Sequence, residues 1–212
     1  MNRNLKLVLA HLIDRRPDSL KWFTLRIGIL LFNEVEELDF VGPMEVFGVA
    51  SKLEGGIDMV TLSKDGKQIH GRYGLNVLPD CSLANSPELD LLIVPGGKGA
   101  REQARYEKEI IAFLKAHAAR ASVASVCTGA LVLAEAGILD GKKATTHWSA
   151  LKTLRQYPKV QVVEGVRFVR DGNVATSAGI SAGIDLALEI VRELHGGKVA
   201  SEVAREMEYQ YD

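Results

Sequence analysis

At 212 residues the chain suits one large α/β domain with a sizeable core better than two small ones. Its formal net charge is −1, with 25% charged residues and no block of like charges, so there is no electrostatic case for a nucleic-acid or membrane partner. Two cysteines, Cys81 and Cys127, argue against a disulfide framework and agree with a reducing, cytoplasmic setting.

Residues 5–13 are mostly apolar behind Arg3 and Lys6, but the run is interrupted by His11 and followed by Asp14-Arg15-Arg16-Pro17. It lacks a small-x-small cleavage site, and no stretch reaches the roughly 18 apolar residues that span a bilayer. Residues 1–24 are therefore expected to form an N-terminal extension, a short helix and linker, before a single domain over 25–212.

Residues 25–32, LRIGILLF, form a continuous apolar run of strand length, as expected for a strand covered on both faces. Pro43 suits a first helical turn, which predicts a helix from about residue 41 to 52, broken by Gly55-Gly56. A strand over 57–62 follows. The turn Lys64-Asp65-Gly66-Lys67 and the breaks at Gly74 and Pro79 leave 68–78 as a pair of short strands at a sheet edge.

Residues 89–94 are the next buried strand, ended by Pro95-Gly96-Gly97-Lys98-Gly99. The spacing of Ile110, Ile111, Leu114 and Ala118 predicts a helix over 106–121. Residues 121–126 then read as a buried strand, and 131–136 as a helix that stops at Gly137. A short strand over 141–146, a helix capped by Ser149 and running to about Tyr157, and a strand over 160–163 follow. Asp171-Gly172 inside 167–176 is a hairpin signature. Residues 180–194 form a long apolar helix closed by Gly196-Gly197, ahead of a polar C-terminal helix. Strands alternating with helices predict a mainly parallel sheet with helices on both faces, an α/β fold.

In such sheets sites form beyond the carboxyl ends of the strands. Three loops that follow apolar strands carry unusual residues: Asp39 in the first, Gly96-Gly97 in the second, Cys127-Thr128 in the third. A cysteine on a strand-to-helix turn meets unpaired N–H groups and a partial positive charge, which favour thiolate. Cys127 thus reads as a nucleophile, or else as a small core residue. Asp39 suits an acid or base beside the thiol, or a helix cap. Gly96 and Gly97 suit a binding surface for negative charge, or a plain turn. Thr128 supplies a hydroxyl and an N–H next to the nucleophile.

Other polar candidates are weaker. His147 reads as a packed histidine or a site residue, and Cys81 as structural or idle. His11, His70, His117 and His195 show no metal-ligand spacing with a cysteine, and no metal is expected. The glycines at 96–99 do not make a phosphate-cradling pattern.

The stretch Ser125-Val126-Cys127-Thr128-Gly129-Ala130, followed by Ala144-Thr145-Thr146-His147-Trp148, resembles the ThiJ/PfpI superfamily, and within it the isocyanide hydratase branch. Leu38-Asp39-Phe40-Val41-Gly42-Pro43, Val94-Pro95-Gly96-Gly97 and Ala178-Gly179-Ile180-Ser181 agree, in the right order over residues 25–195. The resemblance implies a flavodoxin-like sandwich, a homodimer, no cofactor and a small-molecule substrate. It implies Cys127 as nucleophile, Asp39 as its acidic partner, and Thr128 as a residue that positions substrate and water. Gly96, Gly97, His147, Gly179 and Ile180 would line the substrate and anion-stabilising side. Protease-like and deglycase-like members carry a histidine directly after the cysteine, where this chain has Thr128.

The expected reaction is addition of water to a small isocyanide, giving an N-substituted formamide. The sequence also resembles the sensor portion of AraC-type regulators, without the DNA-binding part, so a ligand-sensing domain is the alternative. A redox-responsive or chaperone-like protein, with an oxidisable Cys127, is a third reading.

Overall fold

The computed structural model describes residues 24–211, so the extension expected over 1–24 lies, apart from Thr24, outside the described residues. The strands in chain order are β1 (Leu25–Leu31), β2 (Ile57–Ser63), β3 (Ile69–His70), β4 (Asn76–Val77), β5 (Cys81–Ser82) and β6 (Leu91–Val94). After them come β7 (Ser122–Ser125), β8 (Lys143–Ala144), β9 (Gln161–Val162), β10 (Phe168–Asp171) and β11 (Val174–Ser177). Seven of them make one sheet in the order β10-β11-β7-β6-β1-β2-β5. All neighbours in it are parallel except the β10–β11 hairpin, whose turn is Gly172-Asn173 between the paired Asp171 and Val174.

Continuous apolar runs produce this sheet because its inner strands are covered twice. Every residue of β6 and β11 is buried, as are all but Arg26 in β1. Each large aliphatic side chain buried in this way contributes about 1.5–3 kcal/mol. The helices are α1 (Glu37–Glu54), α2 (Lys98–Glu102), α3 (Lys108–Ala118), α4 (Gly129–Glu135), α5 (Leu151–Leu154), α6 (Ala182–His195) and α7 (Gly197–Glu206). α1 packs with α6 and α7 on one side, and α4 with α2, α3 and α5 on the other, which gives the flavodoxin-like sandwich.

The structure corrects three expectations of the fold. α1 begins at Glu37, ahead of Val41, because Glu37 and Asp39 favour a first turn where helix N–H groups are unpaired; Pro43 then lies inside the helix. Ser149 caps no long helix. The segment is a 3-10 turn at Trp148–Ala150 and the four-residue α5, and the ring of His147 is the cap, accepting from Ser149 N. β3 and β4 do not extend the sheet edge but form their own antiparallel ribbon. The edge is taken by β5, because the Asp80 carboxylate accepts from Thr61 N at 2.8 Å and Thr61 Oγ1 at 2.7 Å and draws Cys81 alongside Leu62.

Candidate active site

β1, β6 and β7 end side by side, and their three loops are stitched together by backbone bonds. Val35 bridges to Gly97, Glu36 N donates to Gly96 O at 3.0 Å, and Gly99 N donates to Glu34 O at 3.0 Å. Val126 N donates to Val94 O at 3.0 Å and Gly97 N to Thr128 Oγ1 at 3.0 Å, so the expected convergence of Asp39, Gly96, Gly97, Cys127 and Thr128 at one sheet edge is the observed arrangement.

Cys127 occupies the turn with φ of 54°, a left-handed conformation that costs a non-glycine residue about 1–2 kcal/mol. Both its backbone groups are tied down: its N–H donates to Ala178 O at 3.0 Å, and its carbonyl accepts from Thr146 Oγ1 at 2.7 Å. Thr128 holds the N-cap position of α4 immediately afterwards, without a side-chain capping bond. The strain and its anchors hold the thiol at the mouth of the helix, where a relaxed turn would carry it away.

Asp39 is fully buried in the first turn of α1 and does not cap the helix, because Glu36 holds the cap position. Its Oδ2 accepts from Gly96 N at 2.9 Å, while the buried Oδ1 has no hydrogen-bond partner. Burial raises the carboxyl to about 8, helped by the charge of Glu36 and opposed by the Gly96 N–H and the Cys127 thiol. A raised carboxyl stabilises the fold in its protonated form; that contribution is complete at acid pH and is lost as pH rises through about 8.

Burial likewise pushes the Cys127 thiol up to about 12, with the Asp39 charge adding to the effect and the Thr128 N–H and hydroxyl opposing it. This reverses the expectation of a resting thiolate. The helix terminus is outweighed by loss of water and by a second acid, so near neutral pH the pair holds both protons. Its two ionisations belong to the pair jointly.

The glycine N–H groups have a different use from the one expected. Gly96 N–H is taken by Asp39, and Gly97 N–H donates to Thr128 Oγ1 at 3.0 Å. They fix the acid and the hydroxyl instead of standing free for substrate. Gly97 has φ of 118°, open only to glycine at little cost. Thr128 Oγ1 in turn donates to Gly97 O at 3.2 Å.

A cleft of about 510 Å³ is lined by Leu38, Thr146, His147, Trp148, Ala178, Gly179 and Ile180 among others; it adjoins the Cys127 turn through Thr146 and Ala178, and neither Cys127 nor Asp39 lines it. His147 rests on Gly179, where a Cβ would come within 2.0 Å of its ring. Its Nδ1 pairs with Ser149 Oγ at 2.8 Å, and burial, helped by the Arg101 charge, lowers its basicity and favours the neutral ring. No hydrogen bond joins His147 to Cys127 among the described residues. Sequence reasoning missed Glu36 and Arg72, whose side chains pair at 3.8 Å beside Asp39's loop. It also missed Thr146 as the anchor of the turn, although Thr146 stands inside the Thr-Thr-His-Trp stretch. Among the described residues no cluster of His, Cys, Asp or Glu could hold a metal ion, and no helix is long and apolar enough to cross a membrane.

This combination of a mainly parallel sheet and a strained cysteine at its carboxyl edge defines a cysteine-elbow α/β protein. The chain belongs to the DJ-1/PfpI family, whose profile matches residues 25–193. It is 40% identical over 186 residues to an isonitrile hydratase of Pseudomonas putida, covering 87% of this chain and 78% of that protein. It is 32% identical over 201 residues to the HTH-type transcriptional regulator GbdR of Pseudomonas aeruginosa, covering 93% of this chain but only 52% of the regulator. Among solved structures, a ThiJ/PfpI family protein from Pseudomonas syringae superposes with a TM-score of 0.82 at 33% identity, covering 94% of this chain and 82% of that one.

Proposed function

We propose that the protein is a cysteine-dependent hydratase that adds water to a small isocyanide and releases an N-substituted formamide. The observation that carries this reading is the burial of Cys127 and Asp39 where the three loops meet, with Gly96 N holding the Asp39 carboxylate and Gly97 N the neighbouring Thr128 hydroxyl; together they can supply a soft nucleophile and a proton. The similarity to an isonitrile hydratase supports it. A terminal isocyanide carbon accepts a thiolate and, as the bond forms, needs a proton at that same carbon.

The reactive form is the pair with one proton, written as a Cys127 thiolate and an Asp39 carboxyl. Sγ attacks the terminal carbon and Asp39 gives that carbon its proton, leaving a thioimidate and a carboxylate. Water then adds to the carbon, and Asp39 passes one of its protons to the nitrogen. The tetrahedral adduct collapses as Asp39 takes the hydroxyl proton. A carbonyl forms, the C–S bond breaks, and the thiolate and carboxyl are restored. Thr128 positions substrate and water, and its N–H favours the anionic sulfur. The largely apolar cleft beside Leu38, Trp148 and Ile180 takes the substituent on nitrogen.

The test is incubation with a series of alkyl isocyanides, following N-alkylformamide by NMR; no formamide from any of them rejects the reading. Its pH dependence is also specified. Because a proton must leave the pair first, kcat/KM is expected to rise through an apparent pKa near 8. Asp39→Asn should remove that rise together with most of the activity. A rate that is flat in wild type from pH 6 to 9 would exclude the pair as the titrating unit.

A homodimer accompanies this reading. Leu38, Val41 and Met44 form an exposed apolar stripe on α1 next to the cleft, and Trp148 is 77% exposed. Light scattering should give twice the chain mass; a monomer at micromolar concentration would sink it.

Ligand sensing is the second reading, favoured by the match of 93% of the chain to about half of a transcriptional regulator. Saturable isocyanide binding with no formamide would select it.

A further inference from the structure

Glu36 precedes α1, and its side chain is nearly closed off from water although the reaction just described does not use it. Its backbone is part of the site: Glu36 N donates to Gly96 O at 3.0 Å, and Glu36 O accepts from Asp39 N at 3.1 Å. Its backbone therefore cannot shift without disturbing the residues that hold Asp39. Opposite it lies Arg72, whose Nε is 3.8 Å from Glu36 Oε2.

Arg72 is itself fixed from several directions. Its N–H donates to Val35 O at 2.9 Å, tying the β3–β4 ribbon to the first loop. Its guanidinium also donates to Tyr73 Oη at 3.3 Å and lies over the Tyr73 ring at 5.7 Å. Burial raises the Glu36 carboxyl above its ordinary value, and the Arg72 cation opposes that rise and favours the ionised form.

The charged groups around the pair are few. Asp39 faces Cys127 from the β7–α4 turn and Glu36 from the start of its own helix. Glu36 faces Arg72 from the ribbon, Glu37 beside it, and Arg101 from α2. Glu37 is engaged elsewhere, accepting from Tyr73 N at 2.7 Å.

We propose that Glu36, anchored by Arg72, is a positioning residue whose negative charge keeps on Asp39 the proton that the reaction delivers to the substrate carbon. It touches neither substrate nor reacting atoms. A second carboxylate nearby makes ionisation of the pair harder, so the proton donor is retained at the pH of turnover. This rests on the hydratase reading for its purpose, but the electrostatic coupling is measurable without that reaction.

The experiment is the pH dependence of Cys127 alkylation by iodoacetamide, followed by mass spectrometry in the full chain, alongside the pH profile of formamide formation. Cys81 is resolved as a separate peptide. Glu36→Gln keeps the side-chain shape and both backbone bonds, and should move the rising limb to lower pH by roughly half a unit or more. Arg72→Gln should move it the same way by less, because a carboxylate without its cation protonates or swings away. The double variant should match Glu36→Gln alone, since Arg72 acts only through Glu36. Glu37→Gln is the control and should not shift the curve.

A Glu36→Gln curve that overlays wild type, or a double variant with additive shifts, overturns the proposal. Should Glu36→Gln fail to fold, an unshifted Arg72→Gln curve overturns it. If no isocyanide is hydrated but the alkylation limb still shifts as stated, the hydratase reading fails and the coupling stands.

Discussion

Cys127→Ser is expected to lower formamide formation from an alkyl isocyanide by roughly 10³-fold or more, with folding intact. Serine has nearly the volume of cysteine and keeps the bonds to Ala178 O and from Thr146 Oγ1, so the melting temperature should change little. What is lost is the soft, ionisable sulfur. A hydroxyl beside a raised carboxyl has no base to activate it and prefers a harder centre than an isocyanide carbon. Formamide measured by NMR at saturating isocyanide reads the result directly. Turnover undiminished in the serine variant would remove Cys127 from the chemistry and transfer the case to ligand sensing. A covalent adduct on Cys127 in wild type, trapped by acid quench and missing in the variant, would agree with the thioimidate step.

Gly96→Ala carries the second large effect, on stability as well as rate. A Cβ there would lie 2.5 Å from Thr128 N, 2.7 Å from Thr128 Oγ1 and 2.8 Å from Asp39 Oδ2. None of these is the loose end of a long side chain, so backbone or site has to move. Overpacking at such a position costs about 1–3 kcal/mol, a fall in melting temperature of several degrees for a chain of this size. The carboxyl and the Thr128 hydroxyl are displaced together, which is expected to cut kcat/KM by roughly 10²-fold. Calorimetry and the formamide assay check both parts. An alanine variant with wild-type melting and wild-type rate would show that the close approach of the three loops is not required.

The parts of the fold legible in the sequence were those written in local pattern. The continuous apolar runs at 25–32 and 89–94 announced strands covered on two faces, and Asp171-Gly172 announced the β10–β11 hairpin. Boundaries failed where two local signals competed. Pro43 suggested a first turn, but the acidic residues before it started α1 earlier. The edge strand also escaped notice, because β5 is only Cys81–Ser82 and depends on the distant bond between Asp80 and Thr61.

For the candidate site, the meeting of its residues was readable in the sequence and their protonation state was not. Cys127, Thr128, Asp39, Gly96 and Gly97 stand at the ends of apolar strands, and the order of elements in a parallel sheet brings such ends to one edge. That much followed from the amino-acid sequence. Whether the thiol is charged, where the glycine N–H groups point, and which further charges matter depend on burial and on contacts between residues far apart in the chain. Asp39 holds its proton because the completed fold shuts out water and places Glu36 nearby. Arg72 reaches Glu36 only because the β3–β4 ribbon folds back onto the loop after β1. The pattern of side chains along one strand or helix carries no record of solvent exclusion by another, so these points were decided by the tertiary structure alone.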